Sequence, residues 1–171
     1  LPVAKKPDSV DICFLPHGNY QKLVAEEMKG KPESGNIVTE DGEVLGKHNG
    51  LFNYTIGQRK GLGIAYKYPL YVIGFNGDRN EVIVGPNERL FTNRMICKFY
   101  NFLDDTIHKE LKAEGKIRYA ANPSPCTARI LDDDTMEVIF EEPQRAITPG
   151  QSVAFYNGTQ LLGGAVIDRV C

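Results

Sequence analysis

Cys13 stands between Ile12 and Phe14, with Lys5, Lys6 and His17 close in sequence and Pro7, Pro16 and Gly18 around it. Nearby cations lower a thiol pKa and favour the thiolate, the form that attacks or carries sulfur at neutral pH. A thiol flanked by two apolar side chains is equally a small packed hydrophobe, so the local pattern leaves both readings open. Cys97 and Cys126 lie in strand-like runs, and Cys171 is terminal. The four cysteines form no Cys-x-x-Cys pair and no His-x-x-x-His accompanies them, so the spacing encodes neither a zinc site nor a disulfide framework, and no metal is expected. His17, His48 and His108 are scattered along the chain. A nucleophile–base pair nevertheless assembles in space rather than in sequence.

Three further clusters have the residue types to hold an anion or a base. Gly57-Gln-Arg-Lys-Gly-Leu-Gly63 joins three glycines to two cations, and residues 56–70 carry Arg59, Lys60 and Lys67 without an acid, a local charge of +3. Backbone N–H groups and cations in such a loop can hold phosphate oxygens. The loop lacks the G-x-x-x-x-G-K-[ST] pattern, and a tight turn against a strand explains the glycines as well. The run Lys116-Ile-Arg-Tyr-Ala120 reads as a strand with Lys116, Arg118 and Ala120 on one face and Ile117 and Tyr119 on the other. Residues 112–129 carry a local +3, whereas residues 130–143 carry six acids and no base. A basic strand with a tyrosine suits backbone and stacking contacts to single-stranded RNA. A solvated strand face gives the same alternation. Thr148-Pro-Gly-Gln-Ser152 reads as a type II turn in which Pro149 presets one φ and Gly150 takes the positive one, leaving Gln151 as the polar group at its end.

The elements that must position these residues are mostly strands. With 171 residues, 42% hydrophobic and 25% charged, the chain can bury one core or two small ones. Its formal net charge of −2 excludes a generally basic coat but not local basic patches. No run approaches the roughly 18 apolar residues of a membrane span, and Leu1-Pro-Val-Ala-Lys-Lys-Pro7 has no apolar signal-peptide core. A soluble, cytoplasmic protein without a membrane partner is the expectation, and the opening at Leu1 reads as an excised piece. Residues 1–17 read as a loop or linker. Tyr20, Leu23, Val24 and Met28 recur at helical spacing and Gly30 with Pro32 supplies a stop, which predicts one short helix over 19–29. Hairpins are expected around Glu40-Asp41-Gly42 and around Asn76-Gly77-Asp78. Gly85-Pro-Asn-Glu-Arg89 is the best boundary, dividing a central domain over 18–88 from a second domain over 89–171. Six strands are expected beyond it, at about 94–102, 115–121, 126–131, 135–141, 151–156 and 159–168, enough for a small barrel.

Taken together, Ala4-Lys-Lys-Pro-Asp-Ser-Val-Asp-Ile-Cys-Phe14, Asn53-Tyr-Thr-Ile-Gly-Gln-Arg-Lys-Gly-Leu-Gly63, Lys116-Ile-Arg-Tyr119 and Glu142-Pro-Gln-Arg-Ala-Ile-Thr-Pro-Gly-Gln-Ser152 resemble the tRNA-specific 2-thiouridylases, the MnmA or TrmU family, in order and spacing. The resemblance implies an enzyme of three domains: an adenylating PP-loop domain, a small central α+β domain, and a C-terminal six-stranded barrel similar to the second domain of elongation factor Tu. This chain resembles the last two. The family's Ser-Gly-Gly-x-Asp-Ser ATP loop is nowhere in the 171 residues, nor is the segment bearing the first of its two catalytic cysteines.

In that family ATP adenylates the C2 oxygen of the wobble uridine, a cysteine persulfide delivers sulfur, and the other cysteine releases it by disulfide exchange. Cys13 matches the persulfide cysteine, which makes residues 1–17 the catalytic-cysteine loop and reverses the balance between the two readings of that thiol. Arg118, Tyr119 and Gln151 match residues that contact tRNA. Gln58, Arg59 and Lys60 are secondary candidates, since their signature block can fix the fold as easily as touch RNA. Ala120 departs from the family, where another arginine is frequent. The implied partners are a tRNA with a wobble uridine, a protein persulfide donor and the PP-loop domain, with ATP used by the full-length enzyme. Without the ATP loop this chain is expected to be inactive in thiolation by itself. The rival reading is a stand-alone, translation-factor-like RNA-binding barrel without sulfur chemistry. A Cys–His hydrolase rests only on His17 lying four residues from Cys13.

Overall fold

The structure is a computed structural model in which residues 33–103 and 109–171 are described. Cys13, His17, His108 and the helix expected over 19–29 lie outside the described residues. Among the described residues the fold is strands joined by turns, as the composition of short β-branched runs demands.

Two hairpins build the first sheet. Strands β1 (Gly35–Thr39) and β2 (Val44–His48) pair antiparallel around the expected turn, where Gly42 takes φ +84° and its N–H donates to the Thr39 carbonyl at 3.0 Å. Strands β3 (Tyr71–Asn76) and β4 (Glu81–Gly85) form the second. The hairpins join through a parallel β1–β4 pairing, giving the order β2-β1-β4-β3. Ile37, Val72, Val82 and Val84 are fully buried on its inner face, with Leu62 and Leu70 from the loop between the hairpins packed against them. His48 is buried at the edge of this sheet. The Gly50 N–H donates to its Nδ1 at 3.0 Å, so Nε2 carries the proton and donates to the Asn80 carbonyl at 3.0 Å. Gly35 is required beside it, because a Cβ there would lie 2.5 Å from Nε2 and 1.9 Å from the Asn80 oxygen.

A short 3-10 turn, Asn87–Leu90, leads from this sheet into a closed antiparallel barrel. Its strands are β5 (Phe91–Phe102), β6 (Glu110–Lys116), β7 (Ser124–Ile130), β8 (Thr135–Arg145), β9 (Ser152–Asn157) and β10 (Gln160–Val170), in the order β10-β5-β8-β7-β6-β9. The period-2 pattern of Met136, Val138 and Phe140, of Cys126 and Ala128, and of Val153 and Phe155 points one side of each strand inward. Closure leaves no open edge.

One expected strand is misplaced. Of the run 115–121 only Gly115 and Lys116 are in a strand: β6 ends at Lys116, whose ladder partner is Ala154. Ile117 drops into the core, and the Ala121 N–H donates to the Arg118 carbonyl at 3.1 Å, closing a turn. The expected two-faced display of Lys116, Arg118 and Ala120 therefore does not exist. Arg118 and Tyr119 sit on a turn at the barrel rim, and β6 begins earlier, at Glu110.

Candidate nucleic-acid interface

The rim site is built where the β6 exit meets the turn before β9. Beyond Arg145 the chain leaves β8 through Ala146, which is buried and holds φ +55°, a left-handed conformation that costs a non-glycine residue about 1–2 kcal/mol. Outside contacts hold it there. Its N–H donates to the Leu90 carbonyl at 2.7 Å, and its own carbonyl accepts from both Arg118 Nη2 and Thr148 Oγ1. Arg118 Nη2 also donates to Thr148 Oγ1 at 3.0 Å. The guanidinium is thus half-buried and anchored to the 146–148 segment rather than extended into solvent.

The type II turn expected at Thr148–Gln151 is present. The Gln151 N–H donates to the Thr148 carbonyl at 3.2 Å and Gly150 takes φ +84°. Gln151 is exposed, and its backbone is fixed by an Ile167 N–H at 2.7 Å. Tyr119 is 81% exposed, with Lys116 Nζ 5.4 Å from its ring centroid. Arg118 therefore joins the β6 exit, which carries Tyr119, to the turn that carries Gln151. An exposed ring with a lysine ammonium over it can stack a base and hold a phosphate oxygen.

The Gly57–Gly63 loop is not a phosphate cradle at its start. The Gly57 N–H donates to the Val72 carbonyl at 2.8 Å and the Gln58 N–H to the Thr55 carbonyl at 3.0 Å. The Gln58 side chain accepts from the Thr55 N–H and donates to the Lys60 carbonyl, stapling the turn internally. Of the three secondary candidates, Gln58 is committed to the loop, whereas Arg59 and Lys60 are exposed. Lys67 lies over the rings of Tyr66 and Tyr68. The Tyr66 hydroxyl is pushed above its ordinary value by desolvation first and then by Glu43.

Cys97 and Cys126 are buried in the barrel core, which disfavours their thiolates. Burial pushes Cys97 up to about 12, with Asp168 and Cys126 adding to it. It pushes Cys126 up to about 11, against a lowering contact from the Gly115 backbone. Among the described residues no cluster of His, Cys, Asp and Glu could hold a metal ion, and no helix is long and apolar enough to cross a membrane.

Comparison with known proteins bears on what this rim belongs to. Residues 92–167 match the family model described as an aminomethyltransferase beta-barrel domain, and residues 21–86 match the one described as a tRNA methyl transferase PRC-barrel domain. The chain is 44% identical over 170 residues to the tRNA-specific 2-thiouridylase MnmA of Clostridioides difficile, covering 99% of this chain and 47% of that protein. It belongs to the tRNA-specific 2-thiouridylase family. The namesake proteins of Geotalea uraniireducens and Carboxydothermus hydrogenoformans are 45% and 44% identical over 169 and 170 residues, again covering 99% of this chain and 45% and 47% of theirs. The chain thus spans about half the length of the curated relatives it matches.

Within this member of the family, sequence reasoning singled out Arg118, Tyr119 and Gln151 but missed Thr148 and Ala146, which Arg118 joins to the β6 exit. It also missed Arg145. That arginine sits inside the Glu142–Ser152 block, where it carries no charge-run or alternation signal of its own.

Proposed function

We propose that this chain is the RNA-docking half of a tRNA 2-thiouridylase, with Cys13 as the cysteine that carries persulfide sulfur to C2 of the wobble uridine. Arg118, Tyr119 and Gln151 bind the tRNA, and Arg59 and Lys60 add exposed cations nearby. The observation that carries this reading is the Arg118 guanidinium bonded to Thr148 Oγ1 and the Ala146 carbonyl, which makes one rim out of two segments 30 residues apart. ATP activation belongs to the full-length enzyme: the Ser-Gly-Gly-x-Asp-Ser loop is not among these residues, so they are not assigned ATP. The central domain is read as 18–88 and the barrel domain as 89–171, and the whole enzyme is cytoplasmic, taking sulfur from a protein persulfide donor.

The testing experiment is a titration of this chain with an unmodified wobble-uridine tRNA at two salt concentrations, beside the Tyr119→Ala, Gln151→Ala variant. Salt-sensitive binding that the variant weakens at least tenfold is expected. Binding that the variant leaves unchanged would remove the rim from the interface. For Cys13, the expected result is persulfuration by a desulfurase relay while Cys97 and Cys126 stay unmodified. Reaction no faster than a Cys13 peptide would sink the sulfur-carrier role.

A further inference from the structure

The sheet and the barrel meet across a poorly filled seam. A groove of about 530 Å³ runs along it, with Ile56, Ile73 and Phe75 on one side and Ile147, Pro149 and Val170 on the other. Among the described residues no strand of the sheet packs extensively against a strand of the barrel. Two units joined by one short linker and a small interface are expected to swivel. Arg89 of the linker pairs with Glu40 of the first hairpin at 2.7 Å, and one side chain of the barrel reaches across as well.

Arg145 is the last residue of β8, paired in the ladder with Phe91 at the start of β5. Its Nε donates to Asn87 Oδ1 in the linker at 3.1 Å, its Nη2 donates to the Gly57 carbonyl at 3.5 Å, and its guanidinium lies 5.5 Å from the ring centroid of Tyr71 in β3. It therefore touches the linker, the signature loop and the sheet from a fixed point on the barrel. Glycine at 57 is what admits it: a Cβ there would stand 3.3 Å from Arg145 Nη1 and 3.2 Å from Ala146 Cβ, at a φ of +88° that side chains resist. The forked donors and flat face are arginine chemistry, which a lysine cannot reproduce at three partners at once. Two and three residues beyond Gly57 stand Arg59 and Lys60, and one residue beyond Arg145 stands Ala146, whose carbonyl holds Arg118.

We propose that Arg145 is a positioning residue that fixes the sheet on the barrel, so that the Arg59–Lys60 loop and the Arg118–Gln151 rim meet RNA as one surface. The RNA part of this rests on the docking role proposed above, while the fixing of the two units stands apart from it.

The test separates the two. Spin labels go on Asp78→Cys in the β3–β4 turn and Asp133→Cys in the β7–β8 turn, both exposed, in this chain carrying Cys13→Ser and Cys171→Ser. Cys97 and Cys126 are buried and stay unlabelled. The parent chain is expected to give one narrow interspin distance and Arg145→Ala a broad one, with strand content unchanged. Arg145→Lys recovers only part of the narrowness. An equally narrow distribution in Arg145→Ala, or a broad one in the parent, overturns the assignment. Should Arg145→Ala fail to fold, Tyr71→Leu and Asn87→Ala each remove one partner and are expected to broaden the distribution partially; no broadening in either overturns it. For RNA, the paired Arg59→Ala, Lys60→Ala change is expected to weaken tRNA binding in the parent but to cost less than twofold further in Arg145→Ala. Gln151→Ala is expected to cost the same in both. Full additivity of all three overturns the single surface, and a parent chain that binds no tRNA overturns the docking role while the distances still decide Arg145.

Discussion

Arg118 and Tyr119 are neighbours in different surroundings, Arg118 anchored to the 146–148 segment and Tyr119 exposed, so their substitutions are expected to differ most in their effect on stability. Arg118→Ala removes two hydrogen bonds from a charged donor to the buried Ala146 carbonyl and to Thr148, a loss of roughly 1.5–3 kcal/mol. Urea denaturation is expected to show that loss, and the freed turn is expected to weaken tRNA binding as well. Tyr119→Ala, at a ring 81% exposed, is expected to cost less stability than Arg118→Ala. It is expected to weaken binding by roughly 1–3 kcal/mol through lost stacking. Equal effects of both changes on folding would contradict this division. The buried thiols give a second residue-scale expectation. Because the folded state raises Cys97 to about 12 and Cys126 to about 11, it holds protons that the unfolded chain releases near pH 9. Their contribution is complete below that pH and is lost as pH rises toward 11 and 12. Stability measured from pH 8 to 10.5 is expected to fall, less steeply in Cys97→Ala. The carrier role proposed for Cys13 rests on its surrounding motif alone, because nothing in its own neighbours separates a carrier thiol from a packed one.

Turns and strand ends decide whether these residues converge. Both hairpins of the sheet were legible because turn chemistry announces them: Gly42 supplies the left-handed residue and Asn76 Oδ1 accepts the Arg79 N–H at 3.2 Å. The rim turn was legible for the same reason. Strand β6 was not, because Glu110-Leu-Lys-Ala-Glu-Gly-Lys116 has little intrinsic strand preference. Barrel closure, which needs a partner for both β7 and β9, overrides that preference. The more β-like Ile117–Tyr119 is instead used to leave the ladder. Two glycines test this scale for different reasons. At Gly150 a Cβ meets nothing within 4 Å, so Gly150→Ala carries only the penalty of φ +84°, about 1 kcal/mol. It is expected to shift Gln151 and lower RNA affinity with little loss of stability. At Gly115 a Cβ would stand 2.8 Å from Phe140 and 2.9 Å from Cys126 Sγ. Gly115→Ala is expected to cost about 1–3 kcal/mol by overpacking the barrel, measured by the same denaturation.

Charge is unevenly spread over the barrel, and on the docking role proposed above this bears on the approach of RNA. The net charge is −2, yet Lys112, Lys116 and Arg118 lie on β6 and its exit, while Asp132, Asp133 and Asp134 close the β7–β8 turn, three residues and more beyond Arg129, which pairs with Glu110. That acidic turn is well built. Asp132 is held below its ordinary value, first by the Asp134 backbone N–H and then by Thr135, and Asp134 Oδ1 accepts the Phe99 N–H at 3.3 Å. Exposed Asp133 can be changed without disturbing these bonds. If RNA docks at the Arg118–Gln151 rim, Asp133 acts on it only through the long-range field. Screening has a reach of about 8 Å at physiological salt and about 30 Å at 0.01 M. Asp133→Lys is therefore expected to change tRNA affinity by less than twofold at 150 mM salt and to raise it severalfold at 10 mM, mainly through the association rate. A large gain that persists at 150 mM would place RNA on the acidic side of the barrel and move the interface away from Tyr119 and Gln151.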